Sequence, residues 1–586
     1  MMLLKNFKFL LIVLACLVSS RVVAQKKKHP NVILIITDDQ GYGDLGITGN
    51  SIVKTPVIDR FAKQSIQFSN FHVSPVCAPT RSSLMTGRYS LRTGIRDTYN
   101  GGATMASSEI TIAEILKHAG YATGLFGKWH LGDNFPSRPM DQGFDETLMH
   151  LSGGMGQVGD VSTYFQKDSS YFNPVLWKNG KQESYSGYCS DIFAANAIKF
   201  IEKNKGNPFF CYLSFNAPHT PLQVPDKYYQ MYKNVDPSVE FDKNNPMHLK
   251  MSEQDKEDAR KVYGMVSNID DNIGKLLQKI TDLGIEEETI VLFMTDNGPQ
   301  QLRFTAGLRD KKGSVYNGGT RVPFFLKYPA LTKESKVIET MAAHFDVLPT
   351  LSELCHADLP TDRKIDGKSL LPLIKGKNTD WSDRALFSYW TRKYPELYNS
   401  MAIQKSGYKL VGQTNYNASI EEFELYNLKN DVHELNNIVK TNKEIAWKLK
   451  NELDIIYHEL ILSENLIKHP VTTIGSKMEN PLILNRNDAD GSRGLWDQEL
   501  IFGKWNVTIL KGKYNFKFKF IKPISAGGAM YLETNSIINQ MKNDTNTDLI
   551  EMKNITLPEL NGELIPYYLI KGKMILPFSV EIEKID

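Results

Sequence analysis

Three unbroken apolar runs mark the first half of the chain. Asn31-Val-Ile-Leu-Ile-Ile-Thr37, Phe209-Phe-Cys-Tyr-Leu-Ser-Phe215 and Thr289-Ile-Val-Leu-Phe-Met-Thr295 show almost no polar alternation, the pattern of strands covered on both faces of a parallel sheet. Each run ends on polar residues: Asp38-Asp39, Asn216-Ala-Pro-His219 and Asp296-Asn297-Gly298. Open α/β sheets place ligands at the C-terminal ends of their strands, so these residues are predicted to meet at one edge. Helical periods lie between the runs, from Thr111 to Gly120 and from Val262 to Leu283, each closed by a glycine, Gly120 or Gly284. The alternation predicts an α/β domain over residues 25–375, a mixed, mostly parallel central sheet flanked by helices.

Beyond residue 375 the periods shorten. Ser400-Met-Ala-Ile-Gln, Tyr408-Lys-Leu-Val and Phe423-Glu-Leu-Tyr-Asn-Leu, then a helical stretch from Lys443 to Leu462, predict a small antiparallel sheet with a covering helix over residues 376–470. From 471 to 586 a β-rich accessory segment is expected. Its clearest feature is the period-two alternation of Trp505-Asn-Val-Thr-Ile-Leu and Tyr514-Asn-Phe-Lys-Phe-Lys-Phe520 on either side of Lys511-Gly-Lys, which predicts a hairpin.

The N-terminus changes the picture of where the chain works. Lys5 and Lys8, the apolar run Phe9 to Val18 and Val22-Val23-Ala24 before Gln25 have the order of a secretory signal peptide over residues 1–24. The run is too short to span a bilayer. Val13-Leu14-Ala15-Cys16 offers lipidation at Cys16 instead, but the apolar run continues past that cysteine, so cleavage after Ala24 and a periplasmic or secreted product are expected. Removing Lys5, Lys8 and Arg21 takes the formal charge of +3 to zero, which gives no reason to expect nucleic acid or an anionic membrane as a partner. No later segment is apolar enough to be transmembrane. Cys77, Cys189, Cys211 and Cys355 have no paired spacing, so no disulfide framework is expected.

Each polar cluster has a structural explanation when taken alone. Asp38-Asp39 could cap a helix, Asp296-Asn297-Gly298 could form a turn, and His219 could be a satisfied histidine beside two prolines. Taken together, three acids and an amide at strand ends form an all-oxygen set suited to a hard divalent cation. Two histidines, three cationic side chains and a lone cysteine complete a site that could bind and cleave an anionic ester.

The string Cys77-Ala-Pro-Thr-Arg81, followed by Leu84-Met-Thr-Gly87-Arg88, resembles the maturation signature of type I sulfatases, arylsulfatase-like members of the alkaline phosphatase superfamily. Asn31 to Asp39 with Gly41-Tyr-Gly-Asp44, Gly127-Lys-Trp-His-Leu-Gly132, Ala217-Pro-His-Thr-Pro221, Thr295-Asp-Asn-Gly298 and Lys312-Gly with Gly318-Gly-Thr-Arg-Val-Pro323 resemble its other blocks in the family's order. Thr80 departs from the serine or alanine of many members. Ser152 is the one candidate for a polar group that some relatives contribute after the Gly143-Phe-Asp block.

The resemblance implies an alkaline-phosphatase-like fold and a sulfuric ester hydrolase whose Cys77 a formylglycine-generating enzyme oxidises to Cα-formylglycine. A thiolate attacking a sulfate ester would leave a stable thiosulfate adduct. The hydrated aldehyde offers one hydroxyl to attack sulfur and a second to expel the product. By the same resemblance Asp38, Asp39, Asp296, Asn297 and residue 77 hold Ca²⁺, Lys128 and Lys312 neutralise the sulfate, and Arg81 holds the hydrate. His130 would assist collapse and His219 would protonate the leaving oxygen, roles that the sequence leaves exchangeable. The alternatives are a phosphomonoesterase or phosphodiesterase of the same superfamily, and a non-catalytic glycan binder should Cys77 stay unmodified. The expected substrate is a sulfated carbohydrate of the kind bacterial polysaccharide sulfatases desulfate. Algal ulvan or carrageenan stand ahead of glycosaminoglycans and mucin, with Gly153 to Asp160, Tyr164 to Tyr188 including Trp177, and Trp390 as candidate sugar-subsite residues.

Overall fold

The computed structural model describes residues 29–586 apart from 244, 332, 378–380, 382–383, 393, 493, 497 and 536, so the expected leader and Cys16 lie outside the described residues. Four parallel strands form the centre of a ten-stranded mixed sheet: β1 (Asn31–Thr37), β2 (Ala122–Lys128), β3 (Phe209–Ser214) and β4 (Thr289–Thr295). They lie side by side in the order β4-β1-β3-β2. The sheet's remaining pairings include antiparallel ones.

The unbroken apolar character of β1 follows from burial on both faces. Val32, Leu34 and Ile36 pack with Leu84, Met85 and Leu351 on one side of the sheet. Ile33 and Ile35 pack with Phe61, Phe193 and Ile269 on the other. Truncating one such side chain to alanine costs about 2–5 kcal/mol, so the strand that carries Asp38 and Asp39 is among the most firmly held parts of the chain.

Helices α1 (Cys77–Thr86), α2 (Ile112–His118), α3 (Cys189–Asn204) and α4 (Glu253–Asp282) cover the two faces. Thr111 and Glu114 form a capping box at the start of α2. Helix α4 begins nine residues before the predicted Val262, at a second capping box between Ser252 and Asp255. Its first two turns are charged and carry no apolar stripe, so hydrophobic periodicity could not detect them. Among the described residues no helix is long and apolar enough to cross a membrane.

A four-stranded antiparallel sheet follows, built in chain order from Leu386–Tyr389, Met401–Lys405, Tyr408–Gly412 and Glu424–Asn427, and helix Lys443–Ile461 covers it. The last segment is a two-sheet sandwich, and it overturns one expectation. Strands β5 (Gly503–Ile509) and β6 (Gly512–Ile524) do not form a hairpin. Strand β5 pairs with Leu560–Ile570 in one sheet, and β6 pairs with Thr547–Leu557 and Ser579–Lys584 in the other. Alternation reports that each strand hides one face, not whether its neighbour lies beside it or opposite. Here Trp505 and Val507 of β5 meet Phe516 and Phe518 of β6 across a shared core.

The sandwich is bonded to the α/β unit. Phe135 N–H donates to Glu479 Oε2 at 2.6 Å, Thr473 N–H to the Phe135 carbonyl at 2.9 Å, Asn485 Nδ2 to Asp133 Oδ2 at 2.8 Å, and Gly491 N–H to Asn100 Oδ1 at 2.9 Å.

Candidate active site

The strand ends converge as their sequence pattern predicts. Asp38 and Asp39 follow β1, Asp296 and Asn297 follow β4, and Lys128 is the last residue of β2 with His130 just beyond. His219 lies past β3, Lys312 past β4, and α1 presents Cys77 in its first turn with Arg81 one turn on. Asp39 and His130 both adopt φ of 61°, a left-handed conformation that costs a non-glycine residue about 1–2 kcal/mol and that functional sites tolerate. Gly127 permits the closest backbone approach: a Cβ there would lie 1.7 Å from the Ser214 carbonyl oxygen. Its absence lets β2 bring Lys128 against the centre of the sheet.

All three acids are paired with a cation. Lys128 Nζ is 2.5 Å from Asp38 Oδ2, Lys312 Nζ is 2.7 Å from Asp39 Oδ1, and Arg81 donates through Nε and Nη2 to Asp296 Oδ2 at 3.2 and 2.8 Å. Arg81 Nη1 is also engaged, by Ser214 Oγ at 2.5 Å and the Lys128 carbonyl at 3.3 Å. Burial raises the carboxyl pKa values, and the cations oppose it. Lys128 holds Asp38 well below the carboxylate range, Lys312 pulls Asp39 down, and burial wins at Asp296, which is pushed up to about 7 with Asp38 adding to the effect. Burial also pushes the Cys77 thiol up despite Lys128 and Lys312, so the unmodified residue is a poor nucleophile.

Three buried acceptors in this cluster have no hydrogen-bond donor: Asp38 Oδ1, Asp39 Oδ2 and Asn297 Oδ1. Asn297 is oriented for this, since its Nδ2 donates to Asp39 Oδ1 at 2.8 Å and to the Gly298 carbonyl at 2.9 Å. Asp38, Cys77 and Asp296 offer atoms within 4.8 Å of one another, and so do Asp38, Asp39 and His219. Leaving such oxygens unpaired in a dry interior is costly, and a hard divalent cation such as Ca²⁺ fits them. Three carboxylates and three cationic groups balance, so a dication makes the site net positive.

The two histidines are distinguished by their backbone bonds. His130 Nε2 is 2.8 Å from the Thr98 carbonyl and Nδ1 is 3.4 Å from Cys77 Sγ. His219 Nδ1 is 2.7 Å from the Thr220 carbonyl, and its Nε2 lies 3.7 Å from Asp39 Oδ2. A carbonyl only accepts, so the bonded nitrogen carries the proton in each ring. Burial keeps both below the ordinary histidine pKa, with Lys128 adding to the effect at His130 and Asp39 opposing it at His219.

A cleft of about 890 Å³ opens above Cys77, His130, His219 and Lys312. Of the sugar-subsite candidates, Gly153, Gln157 and Trp390 line it. A Cβ on Gly153 would lie 2.6 Å from His130 Cε1, so the loop presses on the imidazole. Trp177 lines a separate cavity of about 520 Å³, and Tyr171 and Tyr188 belong to the core. Tyr171 supports the site from behind through its hydroxyl on the His219 carbonyl at 2.8 Å. Ser152 is buried outside the cleft lining, its N–H held by both Asp133 oxygens at 3.0 Å. Sequence reading missed Ser214, Tyr99, Gln300, Arg392, Trp496 and Gln498. The last two come from the sandwich, and only three-dimensional closeness reveals them.

Comparison with known proteins agrees with this geometry. The sulfatase family model matches residues 30–357, and the model of the N-sulphoglucosamine sulphohydrolase C-terminal region matches residues 306–459. Human N-acetylgalactosamine-6-sulfatase is 30% identical over 391 residues, covering 61% of this chain and 68% of that protein. The N-acetylglucosamine-6-O-sulfatase of Bacteroides thetaiotaomicron is 26% identical over 513 residues, covering 74% and 86%. The crystal structure of Ps i-CgsB, also solved in complex with k-i-k-neocarrahexaose, has a TM-score of 0.64 at 29% identity and covers 75% of this chain and 94% of its own. With the sulfatase model spanning more than half of the sequence, the chain belongs to the type I, formylglycine-dependent sulfatase family and is a sulfuric ester hydrolase.

Proposed function

We propose that the chain hydrolyses sulfate monoesters of an algal galactan of the carrageenan type, with residue 77 matured to formylglycine and Ca²⁺ held by Asp38, Asp39, Asp296, Asn297 and residue 77. The observation that carries the metal and the anionic substrate is the trio of unpaired buried oxygens beside Cys77, ringed by Lys128 and Lys312. The carrageenan assignment rests on the likeness to Ps i-CgsB. A zinc phosphatase centre would require several histidines, and among the described residues His219 alone joins the acid clusters.

Matured residue 77 would supply a hydroxyl of the aldehyde hydrate, and the bound cation would polarise the sulfate oxygens. The chain's own groups do the rest. His130 presents an unprotonated Nδ1 to residue 77, where it takes a proton from the hydrate hydroxyl when the intermediate collapses. His219 lines the cleft, and in its imidazolium form, which Asp39 favours against burial, its Nε2 would donate to the departing sugar oxygen. Lys128 and Lys312 stand where sulfate charge must be neutralised. Arg81, with its guanidinium taken up by Asp296, Ser214 and the Lys128 carbonyl, acts by fixing those groups instead of holding the hydrate directly.

Two measurements test this reading. The peptide containing Cys77 should be about 18 Da lighter than its thiol form, and a panel of sulfated neocarra-oligosaccharides should release sulfate. A Cys77→Ala chain that stays fully active would end the formylglycine reading. A panel in which only glycosaminoglycan fragments are desulfated would move the substrate.

A further inference from the structure

The sulfatase model ends at residue 357 and the C-terminal-region model at 459, yet the sandwich that follows reaches the cleft. Its loop places Gly494, Trp496 and Gln498 in the lining of the same cleft as Lys312 and Gly313. Trp496 lies against Tyr99 of the catalytic unit, ring centroids 5.3 Å apart and inclined by 38°. Arg392 lies 4.8 Å from the Tyr99 ring and 5.0 Å from that of Trp390, and its Nη1 bonds Asp97 Oδ1 at 2.6 Å. The wall is therefore continuous across three chain segments, with aromatic faces and one guanidinium.

This loop is held from within the sandwich. Leu495 is buried in the sandwich core. Arg486, itself buried, donates from Nη1 to the carbonyls of Gln498 and Leu495 at 2.8 and 3.4 Å and from Nη2 to that of Leu576 at 2.7 Å. Gly491 N–H reaches Asn100, two residues from the Thr98 carbonyl that orients His130. Leu495 and Gln498 are thus anchored around Trp496, which lowers the ordering cost of a ligand that it meets. The cleft volume of about 890 Å³ stands near the top of the roughly 300–1,000 Å³ range that encloses whole drug-sized molecules, more than one sulfated ring needs.

We propose that the appended sandwich is a working part of the active-site cleft: Trp496 and Gln498, with Tyr99 and Arg392, form a subsite for the sugar ring next to the sulfated one. The occupant is a pyranose of the same oligosaccharide, its apolar face on the Trp496 indole and its hydroxyls on Gln498. The subsite rests on the sulfatase reading only for which ring lies below it, over residue 77.

The test is binding, measured by calorimetry on the full chain carrying Cys77→Ala, so that nothing is turned over. The probes are 4-nitrophenyl sulfate and sulfated di-, tetra- and hexasaccharides from carrageenan and chondroitin. Tetrasaccharides of the preferred series should bind more tightly than the disaccharide. Trp496→Ala should erase that gain, a loss of about three- to tenfold in line with one aromatic contact, whereas Trp496→Phe should keep most of it. Thermal unfolding of each variant checks that the sandwich remains folded. A length gain that survives Trp496→Ala, or no saccharide binding better than 4-nitrophenyl sulfate, overturns the subsite. Saccharides that bind with the length gain but are never desulfated by the unmutated chain would overturn the proposed function while leaving the subsite standing.

Discussion

The Thr98 carbonyl lies 2.8 Å from His130 Nε2, and this single bond decides which nitrogen faces residue 77. With the proton committed to Nε2, Nδ1 is a free base 3.4 Å from Cys77 Sγ. His130→Ala should therefore lower turnover by roughly 10²–10⁴-fold on a nitrophenyl sulfate and on a sulfated sugar alike, because both pass through residue 77. A loss confined to the sugar substrate in steady-state assays would show that the base lies elsewhere.

His219 should behave differently, since its Nε2, once protonated in the imidazolium form, is proposed to serve the leaving group. A sugar alkoxide needs a proton in the transition state and a nitrophenolate hardly does. His219→Ala is expected to cost about 10²–10⁴-fold on the sugar sulfate and far less on the nitrophenyl ester. Lys312→Ala should damage both, because both present the same sulfate. The comparison is made as kcat/KM ratios, which convert directly into transition-state free energies.

For the metal, the three unpaired oxygens give a readout besides activity. Protein stripped by a chelator should unfold at a lower temperature, and added Ca²⁺ should raise the midpoint in a concentration-dependent way, as for any ligand that binds only the folded state. Asn297→Ala should weaken that response by removing an acceptor. Recovery of stability and turnover with zinc but not calcium would favour a phosphatase-type centre.

Away from the site, Asp160 and Asp270 are buried and their carboxyl pKa values are pushed up to about 6, from 3.8. A raised carboxyl binds its proton more tightly in the folded chain, so its contribution to stability is complete below the unfolded value and is lost as pH rises through the folded one. Between about pH 4 and 6 these two groups should lower the unfolding temperature with rising pH. Asp160→Asn, which keeps shape without ionising, should flatten that slope in thermal melts at stepped pH.

What the sequence made legible was whatever a strand end dictates. Asp38, Asp39, Asp296 and Asn297 were readable because a short, β-branched apolar run fits a doubly covered strand, and the residues after such a strand emerge at the sheet edge. Conformation at those ends was not readable: the left-handed φ of Asp39 and His130 is imposed by the contacts around them. Arg81 was legible as a site residue, but its commitment to Asp296 and Ser214 depends on spacings of 215 and 133 residues. The expected hairpin at Lys511 failed for a related reason, since period-two burial is the same for strands beside or across from each other. Trp496 gave no local signal at all, because its meaning lies in Tyr99, nearly four hundred positions earlier.

Cys77 is 2% exposed, and all ten residues of α1 are buried with it. Any enzyme that oxidises this residue by gripping the surrounding segment must therefore do so while the chain is still open. Folding and oxidation are then competitors, and the winner is recorded permanently in each molecule. If residue 77 is matured in this way, specific activity would measure folding history, and a preparation would hold working and inert copies with the same fold. Slower folding, or more of the modifying enzyme at synthesis, should enrich the working fraction, while refolding a mature sample from denaturant should leave that fraction unchanged.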